Sequence, residues 1–374
     1  MFSAEGGGAV SWQRWVFRFL DTCFFRDAAP FHAGEGGYIR VKSIFPPFIT
    51  TLQGAIRTSL ALEQKWHPGE TEKWPEELGG PDDLGNLRLR GPYLLYQDEP
   101  CFPAPLLLLG KEGTYIRLVP GAPVECDLGT VRLPVPAREP EGAKLLNGVY
   151  LTREGLGQVL EGGVPSQNTL KRREDFYVDE IRVGLERSDE SRTAKEGHLY
   201  NIIHVRPKRE TALAVYVSGI PPAWRVKDQL AVPLGGEGRL AAVQVMSGNP
   251  SEILPPAPSL VAGKGGKIRF TVILVTPGWY GERESLQKVI SQGPPGIPGR
   301  CLAACIGKVL QAGGWDMLNR QPRSLMPFLP SGSLWFFEAD EQKTAQVAAL
   351  HGQCIGPKGD YGFGQIIIGR WEEK

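Results

Sequence analysis

The sequence has 374 residues, 41% of them hydrophobic, which is enough for two domains that each bury a core of their own. Its 42 basic and 41 acidic residues give a formal charge of +1, which excludes a bulk attraction to nucleic acid or to an anionic membrane. Any polyanion must therefore be bound by a local patch. No run approaches the roughly 18 apolar residues that cross a bilayer, and the N-terminus lacks a signal-peptide pattern, so we expect a cytoplasmic protein with no membrane partner.

Along the chain, the 47 glycines and 32 prolines predict short strands and loops rather than long helices. The first strand is expected at Trp12 to Leu20, where aromatic residues alternate with arginines. Helical spacing of apolar residues predicts a helix at about 50 to 64, with Thr50 or Thr51 as its N-cap. The turn-rich stretch at about 66–175 is interpreted as a long insertion of loops and hairpins.

After this insertion, strand patterns resume. An extended hairpin is predicted at about 180–200, followed by the strand ETALAVYVSG. A short helix is predicted at about 224–231, and the glycine cluster LGGEGR then leads into another strand. The Pro- and Gly-rich segment at 249–266 is interpreted as a domain boundary, which gives domains at 1–248 and 249–374.

The second half repeats this order. KIRFTVILV predicts a strand, ESLQKVI a short helix, RCLAACIGKVL and SLWFFEA strands, and EQKTAQVAALHGQ a helix. The terminal GPKGDYGFGQIIIGRW is another glycine cluster that leads into an apolar strand. Helix, glycine loop and strand are thus predicted at the end of both halves, which indicates two related α+β domains in tandem.

The common catalytic and cofactor motifs are missing or weak. GGEGRLA fits a dinucleotide-binding pattern, but a strand rather than a helix follows it, and no P-loop, H-E-x-x-H or G-x-S-x-G motif occurs. The six cysteines lack the paired spacing of a zinc site. We therefore expect no metal and no cofactor.

Basic and aromatic residues occur together in KRREDFY, where Lys171, Arg172 and Arg173 precede Phe176 and Tyr177. Such a combination suits phosphate contact with base stacking. A solvated surface with internal charge pairing is the alternative.

Several stretches, in order, resemble a known family: LDTCFFRDAAPFHAG, FPPFITTLQGAIRTSL, RVGLERSDESRTAKEGHLY, LGGEGR and YGFGQIIIGRW. They resemble the RAMP-superfamily subunit that is the third subunit of the Cmr module in type III-B CRISPR interference complexes. The resemblance implies two tandem ferredoxin-like (βαββαβ, RRM-like) domains. It also implies a noncatalytic subunit in antiviral defence that grips the 5′ handle of the guide RNA and packs against the large polymerase-like subunit and other Cmr RAMP subunits.

The residues that match these motifs are the expected RNA contacts. They come from the first loop, the first helix, the hairpin and the two glycine loops: Arg26, Asp27, Arg57, Arg182, Arg192, His198, Gly235, Gly236, Arg239, Lys358, Tyr361, Gly362 and Gly364. The first loop reads DAAPF where the family more usually has DGRPF, so it lacks an arginine.

Two alternatives stay open at this point. One is a metal-independent RAMP endoribonuclease that processes precursor guide RNA, for which His32, Tyr361 and Lys358 are the candidate acid, base and charge-stabilising groups. The other is a nucleotide-sensing pocket between the domains.

Overall fold

The computed structural model describes residues 11–27, 39–126, 129–187, 193–263, 265–316 and 321–372. These residues form a mixed α+β, strand-rich structure. The α-helices are α1 (Ile49–Glu63), α2 (Arg153–Leu160), α3 (Arg173–Phe176), α4 (Arg283–Gln292) and α5 (Thr344–Ala348). Single turns of 3₁₀ helix occur at Thr71–Lys73, Glu76–Leu78, Gln167–Thr169, Pro250–Glu252, Glu341–Lys343 and Gly359–Tyr361. No helix in this part of the chain is long and apolar enough to cross a membrane.

The strands, in chain order, are β1 (Trp12–Phe19), β2 (Ile39–Lys42), β3 (Arg88–Tyr96), β4 (Glu99–Pro103), β5 (Leu108–Lys111), β6 (Thr114–Cys126), β7 (Gly129–Pro136), β8 (Lys144–Leu145), β9 (Val149–Thr152), β10 (Leu170–Arg172), β11 (Tyr177–Arg187), β12 (Ala194–Pro207), β13 (Thr211–Ser218), β14 (Gln229–Pro233), β15 (Leu240–Ser247), β16 (Lys267–Leu274), β17 (Arg300–Cys305), β18 (Leu310–Ala312), β19 (Trp315–Asp316), β20 (Gln321–Pro322), β21 (Met326–Phe328), β22 (Leu334–Asp340) and β23 (Ile366–Arg370).

Two antiparallel sheets carry the two halves. The first has eight strands in the order β10-β9-β4-β3-β13-β1-β15-β14, and the second has the order β17-β22-β16-β23. Within the first sheet, the neighbours β15-β1-β13-β3 have the chain order fourth-first-third-second, and α1 connects the first of these strands to the second. The second sheet, read as β23-β16-β22-β17, has the same order, with α4 and α5 as its two helical connections. The two halves therefore share one strand arrangement.

Helix α1 confirms the helix predicted at about 50–64. Ile49, Leu52, Ile56 and Leu60 recur every three or four residues and are at most 1% exposed, so they form one buried face against the first sheet. The prediction of a threonine N-cap is wrong. Phe48 occupies the N-cap in an extended conformation without a side-chain cap, because the chain leaves Pro46 and Pro47 directly into the helix.

The predicted insertion at 66–175 is too long, because β3, β4, β9 and β10 belong to the first sheet. Strand β3 pairs along its length with β13, and Leu89 and Leu95 within it are fully buried. Gly91 and Pro92 interrupt its sequence alternation and conceal the strand. Strands β4, β9 and β10 extend the first sheet beyond the shared order, and β5 to β8 of the same stretch form the separate sheet β7-β6-β5-β8.

The helix predicted at about 224–231 is wrong, and with it the idea that a helix precedes both glycine loops. Residues 229–233 form β14, whose Leu230 and Val232 alternate as a strand and pair with Val243 and Ala241 of β15. Pairing with a strand already in the sheet outweighs a weak local helix preference. The LGGEGR cluster is therefore the turn of the β14–β15 hairpin.

The hairpin predicted at about 180–200 is confirmed as β11 and β12, which form a three-stranded sheet with β2 in the order β11-β12-β2. In the second half, the strand and short-helix predictions correspond to β16, α4, β17, β22 and β23. The last predicted helix is shorter than expected, with one 3₁₀ turn followed by α5.

Contacts between the halves are buried as well as exposed. The Tyr93 hydroxyl on β3 donates a buried hydrogen bond of 2.7 Å to Oε1 of Gln365, just before β23. Arg88, also on β3, forms a 2.7 Å ion pair with Asp360. One apolar cluster includes Val16 from the first sheet and Leu334 from the second, so the halves share part of their core.

Candidate nucleic-acid interface

A cavity of about 200 Å³ lies at the N-terminal end of α1. It is bounded by the loop after β1, the start of the helix and the β14–β15 turn, through Phe24, Phe25, Arg26, Ile44, Pro47, Phe48, Thr51, Gly235 and Gly236. Three residues predicted as RNA contacts thus lie around one cavity: Arg26, Gly235 and Gly236. More than 200 positions of the sequence separate Arg26 from the two glycines.

The glycine turn fits this cavity because it lies against the loop after β1. The Gly236 N–H donates a 2.8 Å hydrogen bond to the carbonyl oxygen of Phe24. Gly235 has φ of +82°, and a Cβ there would lie 2.5 Å from that same oxygen and 2.9 Å from the Phe25 ring. Glycine is needed at position 235 both for the backbone conformation and for this close approach.

The loop after β1 is held by backbone contacts. The Phe25 N–H donates to the Ser43 hydroxyl at 2.7 Å, and the Asp27 N–H donates to the Lys42 carbonyl at 2.9 Å. Arg26 is exposed at the rim of the cavity. The candidate catalytic residue His32 lies outside the described residues.

The start of α1 gives the cavity a favourable field for an anion. The first turn has no acidic side chain and no side-chain cap, although the Thr51 N–H donates to the Phe48 carbonyl oxygen at 3.0 Å. Helix N-termini with an adjacent arginine are common phosphate sites. The arrangement of Arg26 and α1 can therefore hold a phosphate group.

A second set of groups, which we call the arginine cluster, is formed by Asp21, Glu180, Arg182, Arg206 and Arg239. Asp21 accepts from Arg239 at 2.7 Å and from Arg206 at 3.1 Å, and lies 4.0 Å from Arg182. Glu180 pairs with Arg182 at 2.8 Å and also with Arg206. Three guanidinium groups share two carboxylates, so the cluster keeps one excess positive charge.

The pKa values within the cluster reflect this pairing. A backbone hydrogen bond from Thr22 is the main cause that lowers the pKa of Asp21, and the charges of Arg206 and Arg239 lower it further. Hydrogen bonds from Arg206 and Arg182 lower the pKa of Glu180. Both carboxylates therefore stay charged at neutral pH.

A buried aromatic stack links the arginine cluster to the cavity. The rings of Phe24 and His204 lie 5.2 Å apart and 23° from parallel, and Thr22 Oγ1 is 3.3 Å from Nδ1 of His204. Burial lowers the pKa of His204, and the charges of Arg182 and Arg239 lower it further. Phe24 lines the cavity, so the stack and the cavity form one continuous region.

Phe24, His204 and Arg206 belong to this region although they are not among the expected RNA contacts. Strand alternation is the sequence signal that could have identified His204 and Arg206. Glu180 lies opposite His204 in the β11–β12 register, and Arg182, two residues further along β11, lies on the same face. The side chain of His198, an expected RNA contact, lies outside the described residues. Arg192 lies outside them too.

The KRREDFY residues lie elsewhere, on β10 and α3. The Lys171 ammonium lies 4.6 Å from the Tyr96 ring centre, while Arg173 pairs with Asp179 and lies over Tyr177. Arg172 is exposed and borders a separate cavity of about 390 Å³. None of the three lines the cavity at α1.

The Arg57 guanidinium bonds to the protein backbone instead of facing solvent, where RNA could reach it. Its side chain reaches the carbonyl oxygens of Gly79 and Gly80 at 2.6 and 2.7 Å and lies over the Trp74 ring. The residue is only 8% exposed, and burial lowers its pKa. Arg57 thus fastens the loop after the second 3₁₀ turn to α1.

The C-terminal glycine loop lies on the core. Gly362 and Gly364 have φ values of +86° and +67°, and a Cβ at Gly364 would lie 2.3 Å from the Ile355 carbonyl oxygen. Lys358 and Tyr361 are half-buried at its rim. Burial raises the pKa of Tyr361, so less of its phenolate form is available as a general base at neutral pH.

Among the described residues no group of three His, Cys, Asp or Glu side chains is arranged to hold a metal.

Solved structures of CRISPR complexes resemble the chain at low identity. A chain from the type III-B Cmr-beta complex bound to cognate target RNA matches with 14% identity, 86% coverage of each chain and a TM-score of 0.49. The same complex with target RNA and AMPPnP gives 16% identity, the same coverage and a TM-score of 0.49. The type III-A Csm3–Csm4 subcomplex gives 10% identity, covers 96% of this chain and 100% of that chain, and has a TM-score of 0.40.

No curated protein matches the sequence significantly. The sequence profile of the family described as CRISPR-associated protein (Cas_Cmr3), by contrast, matches residues 15–371. That range takes in both sheets, the cavity at α1 and both glycine loops, and it confirms the resemblance inferred from the ordered motifs. The chain therefore belongs to the Cas_Cmr3 family of CRISPR-associated proteins.

Proposed function

We propose that this protein is a noncatalytic subunit of a type III-B CRISPR (Cmr) effector complex that binds the 5′ handle of the guide RNA and docks the large polymerase-like subunit. The observation that carries the RNA-binding part is the meeting of Arg26, the start of α1 and the β14–β15 turn around one cavity, next to the arginine cluster. Family membership supports the complex to which the subunit belongs.

This surface suits a single-stranded RNA better than a duplex or a free metabolite. Its charge is concentrated in a few arginines instead of a broad basic face, which fits a few phosphates of a short strand. The cavity has aromatic walls at Phe24, Phe25 and Phe48, on which an unpaired base can stack.

We further propose that the two halves are ferredoxin-like units. Their shared order, fourth-first-third-second, with helices on the connections, supports this assignment. In the first half, β14 occurs between β13 and β15 in the chain, at the position of the second helix of such a unit, and it extends the edge of the sheet instead.

Protein partners are supported by apolar side chains left exposed on β11. This strand is at the edge of its three-stranded sheet, and Ile181 and Val183 are 56% and 66% exposed on the face opposite the arginine cluster. An exposed apolar edge strand is costly in a free protein and is typical of a surface covered by a partner. One face of the hairpin would thus meet RNA and the other another Cmr subunit.

The test is co-expression of this chain with the other Cmr subunits and a CRISPR array, followed by purification and end-sequencing of the bound RNA. We expect guides that share one 5′ handle. The double variant Arg26→Ala with Arg239→Ala should reduce the RNA recovered per complex, whereas Arg283→Ala on α4 should not. RNA with random 5′ ends, or no RNA, contradicts the proposal.

The noncatalytic role has its own test. The purified chain is incubated with repeat RNA in EDTA, with and without the change His32→Ala. We expect the RNA to stay intact in both cases. Site-specific cleavage that His32→Ala abolishes would instead make the protein a metal-independent endoribonuclease.

A further inference from the structure

Lys358 lies between two aromatic rings that come from different parts of the second half. Its ammonium nitrogen is 5.5 Å from the centre of the Trp279 ring and 5.2 Å from the centre of the Tyr361 ring. Lys358 forms no salt bridge with any described residue, so these two ring faces are the partners of its charge in this part of the chain. We call these three residues the aromatic clamp.

Both rings stand on firmly held backbone. Gly278, next to Trp279, exchanges two backbone hydrogen bonds of 2.9 Å with Leu329. Tyr361 ends the 3₁₀ turn Gly359–Tyr361, whose carbonyl at Gly359 accepts a 3.2 Å hydrogen bond from Arg90 of β3. The rings therefore keep their spacing whether or not the lysine side chain lies between them.

Lys358 has the most flexible side chain of the three clamp residues. Its long side chain can turn towards solvent at little cost, because a cation–π contact at a partly exposed site contributes only about 0.5–1 kcal/mol. Turning it out leaves two aromatic faces and places a positive charge beside them.

We propose that the aromatic clamp binds one unpaired nucleotide of an RNA strand, with the base against both the Tyr361 and the Trp279 ring and Lys358 at its phosphate. Stacking on an aromatic side chain with a cation at the backbone is how sequence-tolerant sites hold single-stranded nucleic acid. This inference rests on the proposed RNA-binding function. It adds Trp279, and it assigns stacking to Tyr361 and a phosphate contact to Lys358, which the sequence motifs give only as expected RNA contacts.

The clamp is connected to the cavity at α1 through a row of rings. Phe48 lines that cavity and lies 6.5 Å from Phe363, which is stacked on Tyr361 at 6.5 Å. Phe363 is only 3% exposed and belongs to the core, so packed side chains hold the cavity and the clamp at a fixed separation.

The experiment measures fluorescence anisotropy of a labelled, unstructured single-stranded RNA of about 12 nucleotides, within the usual site sizes, with the full-length chain. Tyr361→Leu and Trp279→Leu should each weaken binding by about 5- to 150-fold, the loss expected for one stacked base. Tyr361→Phe keeps the ring and should bind within about twofold of the unchanged chain. Lys358→Ala should lower the salt-dependence slope by about 0.7, as for one lost phosphate contact.

Lys288→Ala on the exposed face of α4 is the matched control for a lost lysine and should leave both affinity and slope unchanged. Far-UV circular dichroism and urea midpoints check that each variant folds. If Trp279→Leu does not fold, the pair Tyr361→Leu and Tyr361→Phe decides, because the two differ in the ring and not only in the hydroxyl.

The two proposals fail in distinguishable ways. If Tyr361→Leu and Lys358→Ala bind like the unchanged chain while Arg26→Ala binds more weakly, the clamp is wrong and the proposed function stands. If the unchanged chain binds no RNA, either alone or in the co-expressed complex, both are wrong.

Discussion

The two glycine loops have similar composition and opposite surroundings. In the β14–β15 turn, Gly235 and Gly236 lie against Phe24 and Phe25 and form one side of an open cavity. In the C-terminal loop, Gly362 lies against β3, with the Leu89 carbonyl oxygen 2.9 Å from where a Cβ would be, and Gly364 lies against Ile355. The first loop shapes a surface, and the second joins the two halves.

The difference teaches that a glycine cluster does not define a binding site. Both loops need positive φ and both exclude a side chain, so the sequence alone gives them the same description. What separates them is the element against which each lies. The following predictions test that separation, from the largest expected effect to the smallest.

Gly364→Ala should have the largest effect on stability. A Cβ at this position would meet a backbone carbonyl at 2.3 Å in a left-handed conformation, so neither the loop nor its neighbour can yield easily. We expect the free energy of unfolding to fall by about 3 kcal/mol or more, as a lower midpoint in urea. Gly238→Ala is the control, since it has φ of +62° with nothing within 4 Å, and should lose only about 1–2 kcal/mol. Equal losses would contradict the contrast between the loops.

Gly235→Ala should reduce RNA binding as well as stability. Its Cβ would displace the Phe24 carbonyl and the Phe25 ring, and both residues line the cavity. We expect affinity for single-stranded RNA to fall about tenfold, which is about 1.4 kcal/mol. The same assay on Gly238→Ala, in the same turn, should show little change. An unchanged affinity for Gly235→Ala would separate the cavity from RNA binding.

Arg26→Ala should change the salt dependence of RNA binding. Loss of one phosphate contact lowers the slope of log affinity against log salt by about 0.7 for a single strand. Titrations at several salt concentrations measure it, with Arg283→Ala as the control for a lost exposed arginine. A parallel shift without a change of slope would mean that Arg26 does not contact phosphate.

The smallest effect concerns pH and His351, close to the C-terminal loop. Its Nδ1 accepts from the Ile368 N–H at 3.1 Å and its Nε2 lies 2.9 Å from the Pro255 carbonyl, so the folded chain holds the neutral ring. Burial lowers its pKa below the ordinary value of 6.5, so the unfolded chain takes up the proton more readily. The contribution of His351 to the free energy of unfolding should be constant above about pH 6.5. It should fall as the pH drops through the lowered pKa of the folded chain.

Urea midpoints between pH 8 and pH 5 measure this effect. His351→Gln should flatten the part of the decline that belongs to this ring, and His67→Gln, at a more exposed position, should not. A decline identical in both variants would assign the pH dependence to other groups.

Much of the fold could be predicted from local pattern. The α1 face and the β11–β12 hairpin follow from periodicity, because their buried residues recur at the spacing of one element. Local pattern does not show β3, because Gly91 and Pro92 break its alternation. It predicts a helix in place of β14, because the pairing with β15 involves residues outside a short sequence window. Sheet pairing is decided by strands that are distant in sequence.

Some residues of the candidate site could likewise be predicted from the sequence, and others could not. Arg26, Gly235 and Gly236 were named from family motifs, and the structure brings them together. Arg57 matched a motif as well, yet its guanidinium is committed to the carbonyls of Gly79 and Gly80. The stack of Phe24 on His204 depends on contacts across about 180 residues, which no local pattern encodes.

The hydrogen bond between Tyr93 and Gln365 affects the spacing of RNA contacts along a bound strand. Because a buried hydrogen bond and a shared core fix one half against the other, the cavity at α1 and the aromatic clamp keep a constant separation. A chain with two anchoring points on a rigid body acts as a ruler. The number of nucleotides between the two contacts would then be set by the protein fold and not by the flexibility of the RNA.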